Sequence, residues 1–283
     1  MNGILDPEGI HPNPLNGKEY SDKYRETAKK WSKFPIYTRA KEIIEDIRNN
    51  QVILMMAETG AGKSVLTPKF ALHAFNYNAN IAMCLPKILI TVAAAEHSAI
   101  VSDVTLGEEI GYQYKGSPAN AKSSKTKLLY CTDGLLIAKL YRDISLKEYD
   151  CILLDEVHER SVNIDLLIYL LRETLKIRPN FKVIFMSATV NHKLFISYFI
   201  DFKFKLINVE GQRLFPIESH YLRQKLDYKL TLKEGLNTAI KILESDDPSD
   251  ITKSHDIIFF VTSSSDAFEL CKNLRSYMEL ENS

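Results

Sequence analysis

A chain of 283 residues has room for one large domain or two smaller ones. Hydrophobic residues make up 45% and charged residues 25%, the balance of a globular protein and not of a fibrous or disordered one. Lys plus Arg and Asp plus Glu each total 36, so net charge signals no polyanionic partner, and a nucleic-acid partner would require a local basic patch.

Residues 1–20, rich in Asn, Pro and Gly, read as a poorly ordered stretch, and residues 1–32 together as an N-terminal lead-in. Ser21 to Trp31 has the composition of a short charged helix, interrupted at Pro35, and Ile43, Ile44 and Ile47 give 39–49 helical spacing. Val52-Ile53-Leu54-Met55-Met56 is a first apolar strand, and Ser64–Phe75 the helix after it, with Pro68 at the limit of what a helix tolerates. Further strands are expected at Ile81–Leu85, Lys127–Cys131, Tyr149–Leu154 and Lys182–Met186. Helices are expected at Ala93–Val101, Leu135–Tyr141 and Asp165–Ile177. Strands of about five residues alternating with helices imply an α/β fold, a mostly parallel sheet with helices on both faces. After about Glu210 the stretch GQRLFPIE reads as a linker, followed by two helical segments flanking a strand at Ile257–Val261.

The four cysteines, Cys84, Cys131, Cys151 and Cys271, lack metal-ligand spacing and read as reduced thiols of an intracellular protein, cytoplasmic or nuclear. No apolar run approaches the roughly 20 residues of a membrane span and the N-terminus carries no signal-peptide core, so no membrane partner is expected.

The chemistry concentrates after the first strand, in AETGAGKS, Ala57–Ser64. Strand, glycine-rich loop and Lys-Ser is the order of a phosphate-binding P-loop, whose N–H groups cradle phosphate oxygens at a helix N-terminus. Thr59, Gly60, Ala61, Gly62, Lys63 and Ser64 are the expected phosphate ligands, with Lys63 on the β/γ-phosphates and the Ser64 hydroxyl on Mg²⁺. The pattern favours Gly where this chain has Ala57, which is acceptable wherever φ stays negative. The plainer alternative is a glycine-rich turn with a surface lysine. The fourth strand ends in LLDEVHER, Leu153–Arg160. Asp155 is placed to hold the ion opposite Ser64, Glu156 to take a proton from the water attacking the γ-phosphate, and His158 to link this site to a neighbouring element. A solvated acidic loop is the alternative here.

DEVHER following a P-loop, with Ser187-Ala188-Thr189 one strand later, closely resembles the DEAH-box (DExH) branch of superfamily 2 helicases. LGEEIGYQYK (Leu106–Lys115), YCTDGLL (Tyr130–Leu136), RPNFKVIFMSAT (Arg178–Thr189) and GQRLFPIE (Gly211–Glu218) match in the same order. The resemblance implies an ATP- or NTP-driven motor acting on single-stranded nucleic acid, RNA in preference to DNA, built from two RecA-like domains. It places the first such domain at 33–210 and the opening of a second, incomplete one at 211–283. It assigns Ser64, Asp155 and Glu156 to Mg²⁺ and water, Ser187 and Thr189 to coupling, and Lys87, Thr132 and Gly134 to the sugar-phosphate backbone. Phosphate contacts of that kind hold a strand without reading its sequence; without them, Thr132 and Gly134 are simply a turn.

The chain departs from the pattern in several places. Lys87-Ile88 stands where the branch has two arginines, Val157 where it commonly has Ala, and Ser263 replaces a glycine in FFVTSSSDAFEL. His97 aligns with an arginine that stacks on the base, and is otherwise a plain surface histidine. No stretch resembles the second domain's later motifs, whose arginine fingers contribute roughly 10³–10⁵ in rate in related systems. The chain therefore reads as a nucleotide-binding half with weak NTP binding and little hydrolysis of its own. The competing readings are a catalytically silent nucleotide- or RNA-binding module and another kind of P-loop ATPase. An Asn-, Lys- and Ile-rich composition suits an A·T-rich genome such as that of a large DNA virus, whose site of action would be the infected host cytoplasm.

Overall fold

The computed structural model describes residues 1–58, 60–209, 218–245 and 257–281. It divides into two compact units, Met1–Leu214 and Phe215–Ser283. The first contains seven strands: β1 (Val52–Ala57), β2 (Ile81–Leu85), β3 (Ile110–Gln113), β4 (Leu128–Thr132), β5 (Cys151–Leu154), β6 (Lys182–Ser187) and β7 (Phe204–Val209). They form one sheet in the order β3-β4-β2-β5-β6-β1-β7, and every pairing is parallel. All seven carboxyl ends therefore point to one edge, which is where open α/β sheets bind ligands.

Parallel strands need crossovers, and helices supply them. On one face lie α1 (Asp22–Trp31), α3 (Ala40–Asn49), α4 (Lys63–Ala74) and α5 (Ile88–Ser102), with the single turn α2 (Pro35–Thr38) between α1 and α3. On the other lie α6 (Asp133–Arg142), α7 (Val162–Ile177) and α8 (His192–Tyr198). Strand side chains alternate between the two cores: Ile53, Met55, Ile81, Met83, Ile184 and Met186 pack with the first set. Val52, Leu54, Ala82, Cys84, Val183 and Phe185 pack with the second. With both faces covered, the strands read as unbroken apolar runs. The first unit is an α/β RecA-like fold.

The five expected strands are present, and β3 and β7 join them at the two edges of the sheet. β3 is only four residues long and includes Gly111, where an added Cβ would lie 2.6 Å from the Ala121 carbonyl oxygen, so close backbone approach masks its strand character. Pro68 lies inside α4 without ending it, because the helix is buried at Leu66, Thr67, Pro68, Lys69 and Phe70 and packing outweighs one lost hydrogen bond.

The helix expected at 21–31 is α1, but residues 1–20 are not the expected poorly ordered stretch, and the N-terminal segment packs into the first unit. Ile4, Leu5 and Tyr24 are fully buried in the first core, with Tyr20 and Trp31 close behind. The Tyr24 hydroxyl donates to the carbonyls of Ile4 (3.0 Å) and Asp6 (2.9 Å), and the Tyr37 hydroxyl to that of Leu5 (2.8 Å). Asn13 Nδ2 donates to the Ser102 carbonyl at 2.8 Å and Ser21 Oγ to Asp103 Oδ1 at 2.7 Å, tying the segment to the end of α5. Lys69 of α4 completes the attachment. It is fully buried, donates to the Val101 carbonyl at 2.8 Å, and places Nζ 3.8 Å from the ring centroid of Trp31 and 5.4 Å from that of Tyr24. Anchors that are apolar but aperiodic, joined by side-chain bonds to backbone carbonyls, leave no hydrophobic period to read.

The second unit contains α9 (Tyr228–Ser245) and α10 (Ser264–Glu281). Ser263 Oγ accepts from the Asp266 N–H at 3.2 Å and so caps α10, a role a glycine at that position has no side chain to fill. The expected strand at 257–261 is not formed: extended backbone becomes a strand by pairing, and no described residue of this unit pairs with it. The expected linker GQRLFPIE, 211–218, lies outside the described residues but for Glu218.

An unfolded lysine keeps its proton up to about pH 10.4, whereas burial draws the Lys69 pKa well below its ordinary value. Across that interval the unfolded chain binds more protons than the folded one, so the contribution of Lys69 to stability rises with pH. Lys69→Met removes the dependence. The wild-type melting temperature should gain on that of the variant between about pH 7.5 and 9.5, and parallel curves would show that Lys69 titrates as in the unfolded chain.

Candidate nucleotide-binding site

β1 ends at Ala57, which is extended, so the pattern's missing glycine is not needed there. Gly60 and Gly62 do need to be glycine on conformational grounds, with φ of +86° and +89°. Gly62 caps α4, and Lys63 and Ser64 begin the helix. Thr59 lies outside the described residues.

β6 separates β1 from β5, with Leu54 beside Phe185 and Phe185 beside Leu154. Asp155 follows β5 directly, and the parallel register brings it level with the start of α4. Ser64 Oγ donates to Asp155 Oδ2 at 3.0 Å, and Lys63 Nζ lies 3.9 Å from Asp155 Oδ1. The Lys63 and Asp155 side chains are 8% and 2% exposed, so this ion pair is screened little by solvent. The Glu156 N–H donates to Asp155 Oδ1 at 2.9 Å. Burial, reinforced by Glu156, pushes the Asp155 carboxyl above the usual carboxylate range; Lys63, the Glu156 N–H and Ser64 pull it back only in part.

Glu156 is in the left-handed region at φ +54°, as is Arg160 at +49°, and the 3₁₀ turn Val157–Glu159 lies between them. Such a backbone costs about 1 kcal/mol or more per non-glycine residue and persists where its surroundings enforce it. Val157 is fully buried at the start of the turn. Arg160 is fixed by a bidentate pair with Asp165, at 2.6 and 3.0 Å. His158 Nδ1 comes within 3.2 Å of Glu156 Oε2 but without hydrogen-bond alignment, and that buried nitrogen has no hydrogen-bond partner. Ser187, fully buried at the end of β6, donates through Oγ to the Thr189 carbonyl at 3.0 Å.

One cleft of about 650 Å³ gathers most of these groups: Gly60, Gly62, Lys63, Ser64, Asp155, Glu156 and His158, with Lys87 at its edge and Ala188 between Ser187 and Thr189. Ala61 is buried behind the loop, and Thr189 faces a smaller adjoining cavity of about 240 Å³ that also reaches His158. Thr132 and Gly134 stand at the end of β4, in register with the end of β2 that precedes Lys87. They are linked to α7 by Asn163 Nδ2, which donates to Asp133 Oδ2 at 2.9 Å. His97 is exposed on α5 and does not line the cleft. Phe34, which the sequence reading did not single out, does. Its only sequence signal is its place before Pro35, at the entry to α2.

Residues 37–195, more than half of the chain, match the family model described as DEAD/DEAH box helicase. The chain belongs to that family. A putative ATP-dependent RNA helicase L540 of Acanthamoeba polyphaga mimivirus is 42% identical over 275 residues, covering 96% of this chain and 38% of the relative. The ATP-dependent RNA helicase HrpA of Borreliella burgdorferi is 32% identical over 255 residues, 88% of this chain and 29% of that protein. The probable human ATP-dependent RNA helicase DHX34 is 34% identical over 216 residues, 75% of this chain and 18% of that protein. This helicase-family chain thus spans less than two fifths of the length of these relatives. No helix among the described residues is long and apolar enough to cross a membrane.

The raised Asp155 pKa carries a sign. The folded state holds this proton more tightly than the unfolded one, so stability from this group is full at low pH and is lost as pH rises through the folded pKa. In the nucleotide-free protein Asp155→Asn, of the same shape and uncharged, should therefore melt a few degrees above wild type at pH 7. The advantage should shrink as pH falls toward about 4; an unchanged or lowered melting point at pH 7 would contradict it.

Proposed function

We propose that this chain is the nucleotide-binding part of an NTP-driven RNA helicase of the DEAH type, with the cleft beside Lys63 and Asp155 as its NTP site. The observation that carries the reading is the convergence of a P-loop lysine and serine on one buried aspartate across an intervening strand. A glycine-rich turn with a surface lysine would not bury Lys63, and a solvated acidic loop would not bury Asp155.

Gly60, Gly62, Lys63 and Ser64 cradle the phosphates with their N–H groups and the Lys63 ammonium, while the Ala61 N–H, donated to the Glu58 carbonyl at 3.2 Å, holds the loop between them. Ser64 Oγ and Asp155 Oδ2 are hard oxygen donors 3.0 Å apart, and they fit Mg²⁺ with phosphate oxygens and water completing its shell. Such an ion neutralises charge on the phosphates. Glu156, held aside from Asp155 by its left-handed backbone, takes the proton of the attacking water, and His158, which lines both this cleft and the adjoining cavity, links the site to the neighbouring element. Ser187 and Thr189, bonded to each other beside the cleft, couple its state to the far side of β6. Lys87 and Thr132, at adjacent strand ends, meet an RNA backbone through an ammonium and a hydroxyl, and Gly134, in the first turn of α6 with its N–H held by Asp133 Oδ1 at 2.6 Å, leaves open space for the strand beside them. RNA as the substrate is supported by the names of the relatives, all RNA helicases. Residues from about 211 onward are the opening of the second RecA-like domain.

NTP hydrolysis with and without single-stranded RNA tests this in the chain and in the longest natural product containing it. Little turnover is expected from the chain alone, and RNA-stimulated turnover from the longer protein. Glu156→Gln should lower that turnover by roughly 10²–10⁴, and Lys63→Ala should abolish nucleotide binding. Tight binding without turnover in the longer, folded protein would favour the silent module, and turnover indifferent to Glu156→Gln would remove the assigned base.

A further inference from the structure

Between α1 and α3 the chain crosses directly over the P-loop. The Ile36 N–H donates to the Ala61 carbonyl at 3.3 Å. One residue on, a Cβ added at Gly62 would sit 2.5 Å from Phe34 Cδ2 and 2.7 Å from its Cβ and Cγ, so the Phe34 side chain rests against the Gly62 backbone. Phe34 is half-buried and lines the nucleotide cleft beside Lys63 and Ser64. Three residues upstream, Trp31 packs on Lys69, six residues beyond Lys63 on α4. Residues 31–36 therefore grip α4 both at its glycine cap and two turns along its length.

From this we infer that Phe34 is a positioning residue of the nucleotide site, holding Gly62 in its left-handed conformation and walling water from one side of the phosphate cradle. The inference rests on the nucleotide-site reading above. Phe34 offers no polar atom to a phosphate, so it acts through the loop backbone: it covers Gly62, while Ala61 is held from both sides, its carbonyl by the Ile36 N–H and its own N–H by the Glu58 carbonyl at 3.2 Å, and the cradle keeps its shape only while this packing does. The N-terminal segment, rooted in the core at Ile4, Leu5 and Tyr24, is thereby part of the site and not an appendage to it.

The test is calorimetric titration with Mg·ADP and Mg·ATP of wild type, Phe34→Leu and Phe34→Ala, alongside nucleotide-free melting curves. Phe34→Ala should weaken binding about tenfold at a temperature where it is fully folded, while Phe34→Leu, which still covers Gly62, stays within about threefold of wild type. Trp31, the single tryptophan, should change its emission on nucleotide addition in wild type and lose that response in Phe34→Ala. A merely structural residue would lower the melting point and leave affinity untouched, and wild-type affinity in Phe34→Ala overturns the inference alone. Absence of nucleotide binding by wild type overturns the site reading and the inference together. If Phe34→Ala does not fold, hydrogen exchange of the wild-type Ile36 amide decides: slowing by nucleotide supports the inference and unchanged exchange overturns it.

Discussion

A carboxylate carried into the interior at the end of a strand must be answered by charge and hydrogen bonds, and Asp155 sets that demand for the first unit. The answer comes from three directions: the Ser64 hydroxyl, the Lys63 ammonium and the Glu156 N–H. Two of these groups lie 91 and 92 residues away in sequence, and only a sheet that ends β1 and β5 at one edge brings them together. The parallel topology is thus a condition for a tolerable Asp155. What remains uncompensated shows as its raised pKa.

The same helix carries a second buried ionisable group. Lys69 is answered by a carbonyl of α5 and by two aromatic rings from the N-terminal segment. This explains why α4 lacks an amphipathic pattern: it is buried on most sides, against the sheet, α3, α5 and residues 1–38. A helix so enclosed offers its N-terminus to the cleft as a rigid platform, which suits a phosphate cradle.

Much of this was legible in the sequence because it is local. Val52–Ala57 followed by glycines and Lys-Ser, and an apolar strand followed by Asp-Glu, announce both their structure and their chemistry within a few residues. The parallel sheet and its helices on both faces followed from the alternation of such segments. What escaped was set by tertiary contact. β3 and β7 are edge strands, short or only half-buried, whose identity comes from the neighbour they pair with. The N-terminal segment draws order from single anchors and side-chain bonds to distant carbonyls, and its Asn, Pro and Gly content points the other way. In the second unit the opposite happened: 257–261 has the composition of a strand without a partner among the described residues. Phe34 was invisible for a related reason, since an aromatic residue before a proline has no meaning until the glycine it covers is known.

The strict alternation of strand side chains between two cores has a consequence for how this chain tolerates changes of length. One residue inserted within β1 would send Met55 to the opposite core and carry the P-loop a full step past Asp155, so both packing and site would fail at once. The interval from Val52 to Ser64 therefore behaves as a reading frame that admits no insertion or deletion. Tags, reporters and lineage-specific insertions belong instead in segments such as 115–118, part of the connection from β3 to β4, which is largely exposed and lies at the β3 edge away from the β1–β5 seam.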